Sequence, residues 1–133
     1  MKKPTPLPAL SRAQLEVMNV VWDSGGVTVA EVWKALARRR SVARNTILTT
    51  LGRLEEKGWV RRNSQEHAHR YHAAVPREAT LRTMISQLVE TAFGGSAEGL
   101  VMALLQGRGV SKEEAAKIRQ MIDQAEDHGR RRP

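Results

Sequence analysis

Cysteine is absent from all 133 residues, which removes disulfides, thiol nucleophiles and thiolate metal sites together. A Gly-rich phosphate loop is also missing, as is any compact set of carboxylates and histidines spaced for acid–base work. The chain therefore reads as a non-enzyme with no cofactor and no metal. No apolar run approaches the length of a membrane span or a signal-peptide core, and three prolines break the opening MKKPTPLPAL. A soluble, cytoplasmic protein without membrane insertion is expected. Acidic residues are few, 14 Asp and Glu against 22 Lys and Arg.

That positive excess is unevenly placed. Residues 1–75 hold 13 basic and 6 acidic side chains, whereas residues 76–133 hold 9 and 8. Charge meant only for solubility would be spread more evenly. A positive field confined to one half suits a surface that neutralises phosphates.

The most informative stretch of that half is ARNTILTTLGRLEEKGWVRR, residues 43–62. At 100° per residue, Leu51 and Leu54 fall within about 40° of Ile47, so these three form a buried stripe. Asn45, Thr49 and Arg53 project from the opposite side. Asn can pair bidentately with adenine and Arg with guanine, and the Thr methyl can meet that of thymine, so this outer row suits a DNA major groove.

Helix signals surround this segment. Ser11 with Gln14, Thr28 with Glu31 and Ser111 with Glu114 each have capping-box spacing. They predict a first helix over about Arg12–Asp23, with Leu15, Met18, Val21 and Trp22 inward, and a second over Val29 to about Arg39, burying Val29, Val32, Trp33 and Leu36. The third begins near Ala43 and ends at Lys57 and Gly58, the latter in the C′ role. Beyond it the period becomes alternating. Trp59-Val60-Arg61-Arg62, a polar turn, and His69-Arg70-Tyr71-His72 read as a β-hairpin, which Gly26-Val27-Thr28 could join as a short third strand. Trp22, Trp33 and Trp59 are expected in the core. The hairpin holds His67, His69 and His72, but alternation puts His69 and His72 on opposite faces, so no metal site is expected there.

From Pro76 onwards three amphipathic segments carry Leu81, Met84, Ile85, Leu88 and Val89, then Leu100, Val101, Leu104 and Leu105, then Ala115, Ile118, Met121, Ile122 and Ala125. About 50 residues in three short helices make too small an independent core, so pairing with a second copy is expected, with the dimer interface on Leu81, Met84, Ile85, Leu88, Val89, Leu100, Val101, Leu104, Leu105, Ile118, Met121 and Ile122. The expected organisation is a flexible segment 1–9, a winged helix-turn-helix DNA-binding domain 10–75 with a small hairpin wing, a helical dimerisation domain 76–127 and a basic tail 128–133. The fold class is mainly α. Arg44, Asn45, Thr46, Thr49 and Arg53 are the candidate major-groove residues. Thr28, Arg61, Arg62, His69 and Arg70 are the candidates for wing and backbone contacts.

Taken in order, LSRAQLEVMNVVWDSGGVTVAEVW (10–33), ARNTILTTLGRLEEKGWVRR (43–62), RYHAAV (70–75) and FGGSAEGLVMALL (93–105) resemble the penicillinase-repressor family of the BlaI/MecI type, which also contains copper-responsive repressors. The resemblance implies a homodimeric repressor of transcription on a dyad DNA operator with TACA/TGTA half-sites, controlling a β-lactamase-like or membrane-peptidase-linked stress operon. It further implies a membrane sensor metallopeptidase as partner and a cut in the C-terminal part, where the corresponding pair is Ala103-Leu104. Thr46, Thr49 and Arg53 match the family's pattern. Asn45 and Leu48 stand where its best-known members carry basic side chains, so the bases read can differ. Without cysteine, copper(I) sensing by thiolates is excluded. The rival class is a winged helix whose basic face engages an acidic protein partner.

Overall fold

The computed structural model describes residues 7–64 and 68–131, with side chains described as far as Asp127. Its elements are α1 (Arg12–Trp22), α2 (Val29–Ala37), α3 (Arg44–Glu56), β1 (Val60–Asn63), β2 (Arg70–Ala73), α4 (Arg77–Ala92), α5 (Ala97–Gln106) and α6 (Lys112–Arg131). Two compact units divide within α4, between Thr83 and Met84, later than the boundary expected at Pro76. His67 lies outside the described residues.

In the first unit, side chains spaced three and four apart on α1, α2 and α3 converge on one core. Val17, Met18 and Val21 come from α1, Val32 and Leu36 from α2, and Ile47, Leu51 and Leu54 from α3, with Val27, Trp59, Val60 and Tyr71 closing it. Val17 sits in this core and Leu15 is half-buried, which rotates α1 slightly from the stripe the sequence suggests. The capping boxes at Ser11 and Thr28 are both formed, each hydroxyl accepting from the N3 backbone while the N3 side chain reaches back. α2 ends at Ala37, two residues before the expected Arg39.

α3 stops for a reason visible in its last turn. The Trp59 amide donates to the Leu54 carbonyl (2.9 Å) and the Gly58 amide to that of Glu55 (3.1 Å), a Schellman arrangement that requires Gly58 at φ 90°. The chain leaves at once into β1, which pairs antiparallel with β2 in the register Val60↔Ala73, Arg61↔His72, Arg62↔Tyr71 and Asn63↔Arg70. Two strands alone are marginal. Val27 supplies the third as a single bridge to Tyr71, with reciprocal amide–carbonyl bonds of 3.0 and 2.8 Å. Gly26 precedes it at φ 143°, and a Cβ there would lie 2.5 Å from the His72 ring.

Each tryptophan donates its indole N–H to a backbone carbonyl distant in sequence or across a turn: Trp22 to Val75 (2.9 Å), Trp33 to Val42 (2.7 Å) and Trp59 to Pro8 (3.0 Å). Their rings bury apolar area at the core's rim while the polar edge finds a partner. The Pro8 contact, together with Leu7 packed on the core, revises the expected flexible segment 1–9, because residues 7 and 8 are fastened to the first unit.

The second unit is built differently. Ser96 caps α5 by accepting from the Gly99 amide (2.9 Å), and Ser111 accepts from the Glu114 amide (3.1 Å) at the start of α6. From Met84 on, none of the described residues is buried. α6 continues to Arg131, so the expected tail from residue 128 is in its first four residues a continuation of helix. Among the described residues, no single helix is long and apolar enough to cross a membrane.

The capping box of α2 has a measurable electrostatic signature. The Glu31 carboxyl is held below its ordinary value of 4.5, first by the Thr28 backbone N–H and then by the Thr28 hydroxyl; desolvation opposes the shift and Arg70 adds to it. A carboxylate whose folded pKa is depressed contributes stability above its unfolded pKa and loses it as the pH falls through the folded value. Wild type should therefore exceed Glu31→Gln in stability by a constant margin above roughly pH 5, and the margin should close on further acidification. Urea unfolding of both proteins at pH 7 and pH 3 checks this; equal margins at the two values contradict it.

Candidate nucleic-acid interface

Burial sorts the faces of α3. Ile47, Leu51 and Leu54 are 1, 0 and 0% exposed, so a rotation of the helix would expose three core side chains at about 1.5–3 kcal/mol each. The opposite face is thereby committed to solvent. Arg44, Asn45, Thr46, Leu48, Thr49 and Arg53 are all exposed on the described surface. Asn45 and Thr49 lie one turn apart near the centre of that face, with Arg53 a further turn along and to one side.

The candidate residues are not equally available. The Arg44 guanidinium stacks 4.8 Å from the centre of the Trp33 ring, whose N–H in turn holds the Val42 carbonyl. The α2–α3 turn and the first residue of α3 are thus braced together, a contact of about 0.5–1 kcal/mol at an exposed site. Thr46 sits on the flank and its carbonyl accepts from the Thr50 hydroxyl (2.8 Å). Thr28 spends its hydroxyl on the α2 cap.

The wing divides its cations by strand face. Register places Arg62 on the face of Val60 and Tyr71, where its Nε lies 3.6 Å from Glu55 of α3. Arg70 reaches Glu31 (3.2 Å) and the Gly26 carbonyl (3.3 Å), linking β2 to the start of α2. Arg61 and His69 are exposed, and among the described residues neither forms an ion pair. Arg61 is therefore the wing cation best placed for an external anion, while Arg62 and Arg70 first support the fold. No group of three or more His, Asp or Glu able to hold a metal occurs among the described residues.

Leu48 stands out in the structure beyond its place as a departure from the family's pattern, and a second residue, Arg77, has a role that the sequence did not suggest. Leu48 is half exposed and flanks the outer row one turn after Asn45, about 100° from Ile47 on the side opposite Thr46. Arg77 donates to the Asn19 carbonyl (3.1 Å) and to Asp23 (2.6 Å), and stacks 5.5 Å from Trp22, so the first turn of α4 is fastened to the end of α1. Only the fold brings residues 58 positions apart together, so no local pattern announces Arg77.

In the second unit Leu81 aside, which precedes it, the candidate interface residues Ile85, Leu88, Val101, Leu104, Leu105, Met121 and Ile122 are exposed, as is Met102, which the stripe reading omitted. Met84, Val89, Leu100 and Ile118 are half-buried. Ala103 and Leu104 lie inside α5, where their carbonyls accept from Gly107 and Gly109. A peptidase that binds its substrate extended would have to unwind that turn.

A family model described as penicillinase repressor matches residues 10–124. The transcriptional regulator BlaI of Mycobacterium tuberculosis is 32% identical over 136 residues, spanning 100% of this chain and 95% of that protein. The penicillinase repressor of Bacillus licheniformis is 26% identical over 124 residues, 93% of this chain and 94% of that one. Among solved structures, wild-type MarR from E. coli in its apo form superposes with a TM-score of 0.51 at 20% identity, over 87% of this chain and 78% of that one, a likeness of fold alone.

Gly52 stands out on the exposed side of α3, because a Cβ built there meets nothing within 4 Å and the backbone has no positive φ to require glycine. Glycine inside a helix costs roughly 0.5–1 kcal/mol relative to alanine. Gly52→Ala should therefore raise the stability of the isolated protein by about that amount. A denaturant midpoint equal to or below the wild-type value contradicts the assignment of an open, helical position.

Proposed function

The chain belongs to the penicillinase repressor family and is a DNA-binding transcriptional repressor; we propose that it acts in the cytoplasm as a homodimer that sets α3 of each protomer in the major groove of a palindromic operator. The observation that carries this reading is the two-sidedness of α3, whose inner stripe is locked in the core while Asn45, Thr49 and Arg53 face outward on the half of the chain that holds 13 basic and 6 acidic residues. In this reading Arg53 and Asn45 contact base edges, Thr49 meets a base or sugar, and Arg44 and Arg61 lie against phosphates.

Dimerisation is supported by the second unit's surface. Ile85, Leu88, Val101, Met102, Leu104, Leu105, Met121 and Ile122 are large apolar side chains left in solvent by a single protomer. Soluble monomers rarely keep large apolar patches exposed, and a dimer interface is a common reason for such side chains to face outward. A twofold partner covers it and doubles the number of base pairs read.

Three substitutions test the reading by filter binding and sedimentation. Arg53→Ala should weaken binding to a selected palindrome by about 1–3 kcal/mol while leaving random DNA nearly unaffected. Arg61→Ala should weaken both alike and reduce the slope of log K against log salt by about 1. Leu88→Asp should give monomers and the largest loss of palindrome affinity; a dimer that persists through this change, or a wild-type protein indifferent to salt and to palindromes, refutes the proposal.

A further inference from the structure

We infer that Leu48 is a specificity residue that reads the 5-methyl group of a thymine, and that Gly52 lets α3 come close enough for it to do so; this rests on the DNA-reading role of α3 proposed above. Among the described residues ahead of Leu81, Leu48 is the one large hydrophobic side chain left exposed, at 50% of its surface. The core does not use it, since Ile47 and Leu51 on either side fill that role.

Its neighbours on the helix define a strip. Asn45 lies one turn before Leu48, Thr49 follows it, and Gly52 lies one turn after, with open space where its side chain would be. The strip is uncharged and ends on a residue with no side chain; Arg53, one turn beyond Thr49, continues the base-reading row beside it, while Arg44 and Arg61 stand off it. Such a layout matches a duplex, which presents base edges in the groove floor and phosphates at its margins. On that floor the thymine methyl is the apolar group, and a leucine side chain has no donor or acceptor for anything else. Set against guanine or cytosine it would strip water from polar edges without replacing the lost hydrogen bonds. Leu48 therefore favours thymine both by contact and by penalising the alternatives.

The probe is the duplex that the full-length protein enriches from a random pool, with each thymine replaced in turn by deoxyuridine, which keeps base pairing and removes only the methyl group. At one symmetry-related pair of positions the replacement should weaken wild-type binding about fourfold per contact, and Leu48→Ala should bind both duplexes equally. Leu48→Met should retain part of the discrimination. Gly52→Ala should lose about tenfold or more on the same duplex through steric crowding, despite remaining folded. Thermal unfolding verifies that each variant is folded. Methyl sensitivity that persists in Leu48→Ala and disappears in Thr49→Ser overturns the assignment, as does a selected duplex with no methyl-sensitive position. Failure to enrich any duplex overturns both this inference and the DNA-reading role, whereas selective binding without methyl sensitivity overturns this inference alone.

Discussion

The outward face of α3, the proposed interface, depends on the burial of Ile47, Leu51 and Leu54. These side chains leave α3 no freedom to roll, so whatever the helix presents to solvent is presented in one orientation. A flexible reader would lose part of its binding free energy to ordering at the moment of contact. Here the core of α1, α2 and the hairpin has already met that cost, and the Schellman turn at Gly58 sets where the wing begins relative to the last turn of α3.

Positive charge in this protein does two kinds of work, and composition does not separate them. Arg70 joins β2 to the start of α2, Arg62 joins β1 to α3, Arg77 joins α4 to α1, and Arg44 braces the turn against Trp33. Exposed ion pairs of this kind are individually weak. Their value is geometric, since they join elements that the apolar core touches only from one side. Arg53 and Arg61 form no ion pair among the described residues, which leaves them available to an external anion.

The two units have opposite relations to solvent. The first closes a core of twelve residues around three helices and a hairpin, whereas the second, from Met84 on, has no buried residue among those described. In the dimer proposed above, covering this apolar surface would couple the stability of the second unit to association.

Local pattern made much of this legible. The three helix starts, the buried stripe of α3, the hairpin and even the bridge at Val27 follow from capping residues, 3.6-residue and two-residue periods, and glycine, because these are interactions between neighbours in the chain. The asymmetry of charge is likewise a property of the sequence alone. Tertiary structure decided which cations are already engaged, that Leu7 and Pro8 belong to the first unit, that Arg77 ties α4 to α1, and that α1 turns Val17 inward. The Pro8, Arg70 and Arg77 contacts join residues 39 to 58 positions apart, and a one-dimensional pattern carries no information on which distant groups a compact core will bring within hydrogen-bonding distance.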